Sequence, residues 1–161
     1  MIEMIRVGMA DLKASRHPSI LTTLGLGSCV GITLYDPKTK ITGMVHIMLP
    51  CSKIASANTN RAKFADTGIV DLLAEMISLG ANRKEIVAKI AGGAQMFNFT
   101  GPTNTLNIGA RNSEATKQVL KELGIPILAE DVGGSYGRTI EISSENGRLM
   151  VKTIGYGVKY I

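Results

Sequence analysis

The stretch LGLGSCVGITLYDPKTKITGMVHIMLP, Leu24 to Pro50, contains Cys29 and His46, and the whole 161-residue chain has only two cysteines and two histidines. A thiol and an imidazole within reach of one another can perform acyl transfer. The thiolate attacks a carbonyl carbon, and the imidazole takes and returns the proton. The Gly-Leu-Gly-Ser run before Cys29 suits that chemistry. Small residues let a carbonyl approach the backbone, and N–H groups near Ser28 and Cys29 could stabilise an oxyanion. The plainer alternative is that Cys29 is a small core hydrophobe and His46 a satisfied sheet residue.

Whether the two side chains meet depends on the hairpin that carries them. Val30–Tyr35 and Ile41–Met48 are both β-rich, and DPKTK between them has the composition of a turn. A symmetric two- or four-residue loop sets Asp36 opposite Thr39, or Tyr35 opposite Lys40. The pairs are then Leu34–Ile41, Thr33–Thr42, Ile32–Gly43, Gly31–Met44, Val30–Val45 and Cys29–His46. Leu34, Ile41, Val30 and Val45 share one face, and a one-residue slip would mix the faces. This register predicts Cys29 directly across from His46, with Cβ atoms about 4.5–5.5 Å apart.

The rest of the chain must hold that hairpin. Residues 2–8 and 20–26 read as extended. Phe64, Ala65, Ile69, Leu72, Leu73, Met76 and Ile77 recur at helical spacing until Gly80 stops the run. Glu85–Ala91 reads as a strand leading into Gly92–Ala94. A second helix is predicted with Ser113 as its cap, Ala115, Val119, Leu120 and Leu123 as its apolar face, and Gly124 as its end. Ile125–Asp131 is extended. Arg138–Ser143 and Arg148–Ile154 flank ENGR, where Asn146-Gly147 signals a two-residue hairpin turn. The expected fold is α+β: a compact single-domain α/β sandwich over residues 1–161, with a mixed, largely antiparallel sheet covered by helices.

A chain of this length buries roughly 70% of its unfolded surface and needs no staples. Two cysteines make neither a disulfide framework nor a four-ligand zinc site, and a reducing, cytoplasmic setting is expected. Ile41–Pro50 is too short and too interrupted to span a bilayer, and the first residues lack a signal-peptide core. The net charge of +5 is scattered, and the three Phe and four Tyr do not interleave with a basic cluster. That favours a solvated surface over a nucleic-acid partner.

TLGLGSCVG (Thr23–Gly31) followed by HIMLP (His46–Pro50) resembles the chemoreceptor glutamine deamidase family, CheD. The similarity continues through KFADTGIVDLL (Lys63–Leu73), KIAGGAQMF (Lys89–Phe97), NIGARN (Asn107–Asn112) and LAEDVGG (Leu128–Gly134). The resemblance implies a compact α/β sandwich in which Cys29 is the nucleophile and His46 its base. It also implies Thr23 as the third catalytic residue, six positions before the cysteine. The implied activity is hydrolysis of glutamine side-chain amides on the cytoplasmic helices of methyl-accepting chemotaxis receptors, and in some members methylesterase action. It implies a second partner, the phosphatase CheC, which competes with receptor and is itself stimulated. It implies no metal, no organic cofactor, no nucleic acid and no membrane insertion.

Other residues read more plainly. Cys51 is a small side chain beyond the strand, His17 is exposed, and Met44, Met48, Met76 and Met96 fill core. Gly92-Gly93 and Gly133-Gly134 permit tight turns bordering the cleft, with Phe97 and Asn98 nearby as candidate substrate contacts. Two alternatives to deamidation stay open: a different thiol hydrolase, and a non-enzymatic adaptor of a chemotaxis phosphatase in which Cys29 and His46 are structural.

Overall fold

The computed structural model describes residues 2–53, 55–56, 59–96 and 107–161. Phe97 and Asn98 lie outside the described residues. Ten strands and two α-helices are described, with short 3-10 helices at Arg61–Lys63 and Arg83–Glu85. β1 (Glu3–Arg6), β3 (Ser19–Leu26), β8 (Arg138–Ser143), β9 (Leu149–Thr153) and β10 (Gly157–Tyr160) form one sheet, in the order β1-β3-β8-β9-β10. β2 (Leu12–Ser15), β4 (Val30–Tyr35), β5 (Thr42–Ile47), β6 (Val87–Gly92) and β7 (Ile127–Val132) form the other, in the order β2-β5-β4-β6-β7. β1–β3 and β6–β7 pair in parallel, and the remaining neighbours are antiparallel.

The layers follow from the burial pattern. β4 and β5 are buried at every position, so their sheet is covered on both faces. β8 alternates between buried and half-buried residues, which marks a sheet with one open face. α1 (Ala65–Ser78) and α2 (Ile108–Glu122) pack Ile69, Leu72, Met76 and Leu120 against Val30, Ile32, Val45 and Ile47 on the outer face of the inner sheet. Leu21, Leu26, Met44, Ile140, Ile142 and Val151 fill the space between the sheets. The α+β sandwich expected from sequence is therefore borne out, with its strands divided between two sheets and its helices on one side.

Three local expectations need correction. α2 begins five residues before Ser113: Asn107 is the cap, its side chain accepting the Ala110 N–H at 3.1 Å, and Ser113 is buried within the helix. β2 and β10 were not anticipated. Each is a four-residue edge strand, too short to carry a clear alternation. The third correction concerns both hairpin turns. The β8–β9 loop has four residues, not two: Ser143 N–H donates to Arg148 O, and Gly147 N–H to Ser143 O. The β4–β5 loop repeats that design over Pro37–Lys40, with Asp36 N–H donating to Ile41 O and Lys40 N–H to Asp36 O. Each loop ends on a left-handed residue, Gly147 (φ 73) or Lys40 (φ 61). Each also opens on a side-chain oxygen that accepts an N–H two residues ahead, Ser143 Oγ from Glu145 and Asp36 Oδ1 from Lys38.

Candidate active site

The loop at Pro37–Lys40 moves the hairpin register two residues from the expected one. Val30 pairs with Ile47, Gly31 with His46 and Tyr35 with Thr42. Cys29 is thus not directly opposite His46. It precedes the first paired residue of β4 and sits diagonal to His46, two positions along from Gly31. A slip of two leaves every side chain on its original face, so the apolar pattern could not distinguish the two registers. Cys29 and Met44 both belong to the inter-sheet core, and the period of two puts His46 on that same face.

Gly31, directly opposite the imidazole, lies close against side chains of the open sheet, whose terminal methyls would have to shift to admit a larger residue. A Cβ there would lie 2.7 Å from Ile140 Cδ1 and 3.1 Å from Leu26 Cδ1. The position next to the ring on its facing strand therefore carries no side chain.

His46 is fully buried and held by Thr23 of β3, the strand facing it from the other sheet. Thr23 Oγ1 lies 2.7 Å from His46 Nδ1 and 2.7 Å from Val7 O. A carbonyl can only accept, so the hydroxyl donates to Val7 O and its lone pair takes the Nδ1 proton. That fixes the tautomer: Nδ1 carries hydrogen, and Nε2 presents a lone pair. Nε2 is buried and has no hydrogen-bond partner. The neighbouring Thr22 is spent elsewhere, its hydroxyl donating to Ile140 O at 2.9 Å. The segment joining β1 to β2 completes the clamp: Ala10 N–H donates to His46 O, and His46 N–H donates to Asp11 O.

Burial sets the charge state of the pair. It lowers the His46 pKa from 6.5 to about 4, and it raises the Cys29 thiol above its ordinary value, partly offset by the Cys29 backbone N–H. At neutral pH the two resting groups are therefore a thiol and a neutral imidazole, and no hydrogen bond joins Cys29 Sγ to His46 Nε2, so they are not a thiolate–imidazolium ion pair.

The backbone around Cys29 is fixed on its far side. Gly93 N–H donates to Cys29 O at 2.8 Å and Ala94 N–H to Gly27 O at 2.9 Å. Asn112 of α2, fully buried, donates through Nδ2 to both Ser28 O and Met48 O at 2.9 Å. Among the described residues, the Ser28 and Cys29 backbone N–H groups have no carbonyl acceptor. Sequence reasoning missed Val7 and Asn112. Val7 acts through its carbonyl, which no side-chain pattern reveals, and Asn112 lies on a helix far along the chain.

The remaining candidates fall as follows. Cys51 is half-buried, its Sγ 3.8 Å from Asp66 Oδ2, and His17 is exposed. Met44 and Met76 are core, whereas Met96 is exposed beside Gly27. Gly92, Gly93, Gly133 and Gly134 all have positive φ, as their turns require. Gly93 and Gly134 border a cleft of about 370 Å³ with Ser113 and Lys117, and a second cleft of about 550 Å³ lies between Leu49, Phe64 and Arg111. Neither cleft is lined by Cys29, His46 or Thr23, which lie between the two sheets. Among the described residues no cluster of three His, Cys, Asp or Glu could hold a metal ion, and no helix is long and apolar enough to cross a membrane.

Fold and site define a two-sheet α+β sandwich whose inner face carries a threonine-backed histidine and a cysteine diagonal to it. The family model described as CheD chemotactic sensory transduction matches residues 48–153. A protein of Caldanaerobacter subterraneus subsp. tengcongensis, "Probable chemoreceptor glutamine deamidase CheD", is 63% identical over 99% of this chain and 98% of its own length. "Chemoreceptor glutamine deamidase CheD" of Halalkalibacterium halodurans is 51% identical over the full length of both. The chain belongs to the CheD family. Among solved structures, hypothetical protein YfiH of Bacillus licheniformis superposes with a TM-score of 0.49 at 19% identity, over 75% of this chain and 49% of that one.

Proposed function

We propose that this protein hydrolyses glutamine side-chain amides on chemotaxis receptors, with Cys29 as nucleophile, His46 as base and acid, and Thr23 as the residue that orients the imidazole. The observation carrying the reading is the hydrogen-bond chain Val7 O, Thr23 Oγ1, His46 Nδ1, which leaves Nε2 as an unpartnered lone pair on the face shared with Cys29. The full-length similarity to chemoreceptor glutamine deamidases supports the substrate.

The steps balance without a metal or organic cofactor. His46 Nε2 takes the Cys29 proton as sulfur attacks the carboxamide carbon, and the oxyanion is received by the Cys29 N–H. Imidazolium then gives its proton to the departing nitrogen, so that ammonia leaves and a thioester remains. Nε2 next removes a proton from water, and hydroxide adds to the thioester carbon. Collapse releases glutamate, and the sulfur recovers its proton from His46. Thr23 stabilises the transient imidazolium through Nδ1, the third-group role of a catalytic triad. A receptor methyl ester presents the same electrophile, so methylesterase action follows from the same steps. CheC fits this reading as a competitor for the receptor-binding surface.

The test is mass spectrometry of a receptor's cytoplasmic fragment incubated with the protein. Specific glutamines should gain the mass that replaces NH2 by OH, and the change should vanish with Cys29→Ala and His46→Ala. A Cys29→Ala protein that still converts glutamine would exclude the thiol mechanism. An inert wild type that binds CheC would favour the adaptor alternative.

A further inference from the structure

Asn112 is a buried amide that makes two hydrogen bonds with one nitrogen, and both acceptors belong to the site. Ser28 O precedes the nucleophile, and Met48 O lies two residues beyond the base. The orientation of the amide is fixed by chemistry: turned over, Oδ1 would face two carbonyl oxygens. Oδ1 is buried and unpartnered, so it is Nδ2 that holds the side chain in place.

The Ser28 carbonyl and the Cys29 N–H belong to one peptide unit. In a planar trans peptide they point in opposite directions. Holding Ser28 O from the α2 side therefore aims the Cys29 N–H away from α2. A hydrogen bond to the carbonyl also polarises the unit and strengthens its N–H as a donor. That N–H has no carbonyl acceptor among the described residues. The bond to Met48 O ties the same amide to the end of the strand that carries His46. One side chain thereby sets the nucleophile loop against the base strand.

We infer that Asn112 is a positioning residue for the oxyanion step, fixing and polarising the Cys29 N–H that receives the negative charge of the tetrahedral intermediate. The inference rests on the proposed thiol mechanism and adds a role whose main effect is on the carbonyl oxygen, beside the smaller lowering of the thiol pKa by the same N–H.

The experiment separates those two effects. Alkylation of Cys29 by iodoacetamide needs the sulfur nucleophile but creates no oxyanion, whereas deamidation of a receptor fragment needs both. Asn112→Ala is expected to lower kcat roughly tenfold to a hundredfold, less than the roughly hundredfold to thousandfold loss when an oxyanion donor is removed outright, because the N–H itself stays in place. KM should stay within about twofold, and the Cys29 alkylation rate, which the N–H touches only through the thiol pKa, should fall far less than kcat. Asn112→Ser, which retains one donor, should fall between wild type and alanine.

A folded alanine variant with undiminished kcat overturns the inference, as does an alkylation rate that falls in step with kcat. If neither variant folds, Asn112 is structural and the inference also fails. The control is Cys29→Ala: should it retain activity, the thiol mechanism itself is wrong. Should it be inactive while Asn112→Ala is fully active, only the role of Asn112 is lost.

Discussion

At the residue scale, the burial of His46 has consequences for both activity and stability. Its folded pKa of about 4 lies below the 6.5 of the unfolded chain. As pH falls, the unfolded state takes up the proton first, so stability is complete above 6.5 and declines until about 4. The loss amounts to about 3 kcal/mol. Urea unfolding between these pH values should show a shallower slope for His46→Gln than for wild type, and equal slopes would contradict the assignment. By the same logic, kcat/KM for deamidation should stay level down to about pH 5, where an ordinary histidine would already have switched it off. Thr23 gives a second test. Thr23→Val keeps the shape but leaves Val7 O and His46 Nδ1 unpaired, at about 1–3 kcal/mol for each buried group. It should also lower kcat by roughly a hundredfold or more, while Thr23→Ser retains most of it. Cys29 and His46 were legible in the sequence as reactive types on one hairpin. Their diagonal placement was not, because two loop designs of the same composition satisfy the same alternation.

At the element scale, α2 is the piece that the site leans on, and its docking depends on a glycine. A Cβ on Gly109 would sit 2.2 Å from Ala94 O and 2.6 Å from Gly93 O. Both are backbone atoms that cannot swing aside, so Gly109→Ala must push the first turn of α2 off the loop after β6. The expected cost is about 1–3 kcal/mol in unfolding free energy, as for other overpacked sites. Asn112 lies less than one turn further on, so kcat should fall with stability. A variant of wild-type activity would show that α2 does not steer the site. Helical periodicity revealed the body of α2, since Val119, Leu120 and Leu123 repeat on one face. Its start was missed because Asn107 caps from a stretch without apolar spacing, while Ser113 only resembles a cap.

At the scale of the molecule, the two sheets are joined by charge as well as by apolar contact. Arg138 of β8 is buried, reaches Asp131 of β7 at 3.2 Å and Gly92 O at 3.3 Å, and stacks on Tyr136. Arg138→Ala leaves Asp131 with only the exposed Lys159, at 3.2 Å, and should cost about 2–3 kcal/mol in denaturant unfolding, less than the about 3–5 kcal/mol of a buried charge left wholly unpaired. A change under about 1 kcal/mol, typical of exposed pairs, would mean the bond is idle. The sequence carried the α+β class in its mix of alternating strands and amphipathic helices, but assigning strands to two sheets needs pairings between distant segments. The strand bearing Thr23 is an instance. β3 pairs with β1 beside it and with β8, whose residues come more than a hundred positions later. On a ribosome adding roughly 5–20 residues per second, the cysteine and histidine emerge several seconds before β3 can gain that second neighbour. The nascent chain thus carries its cysteine and histidine through most of synthesis before β3, the strand bearing Thr23, can be flanked on both sides.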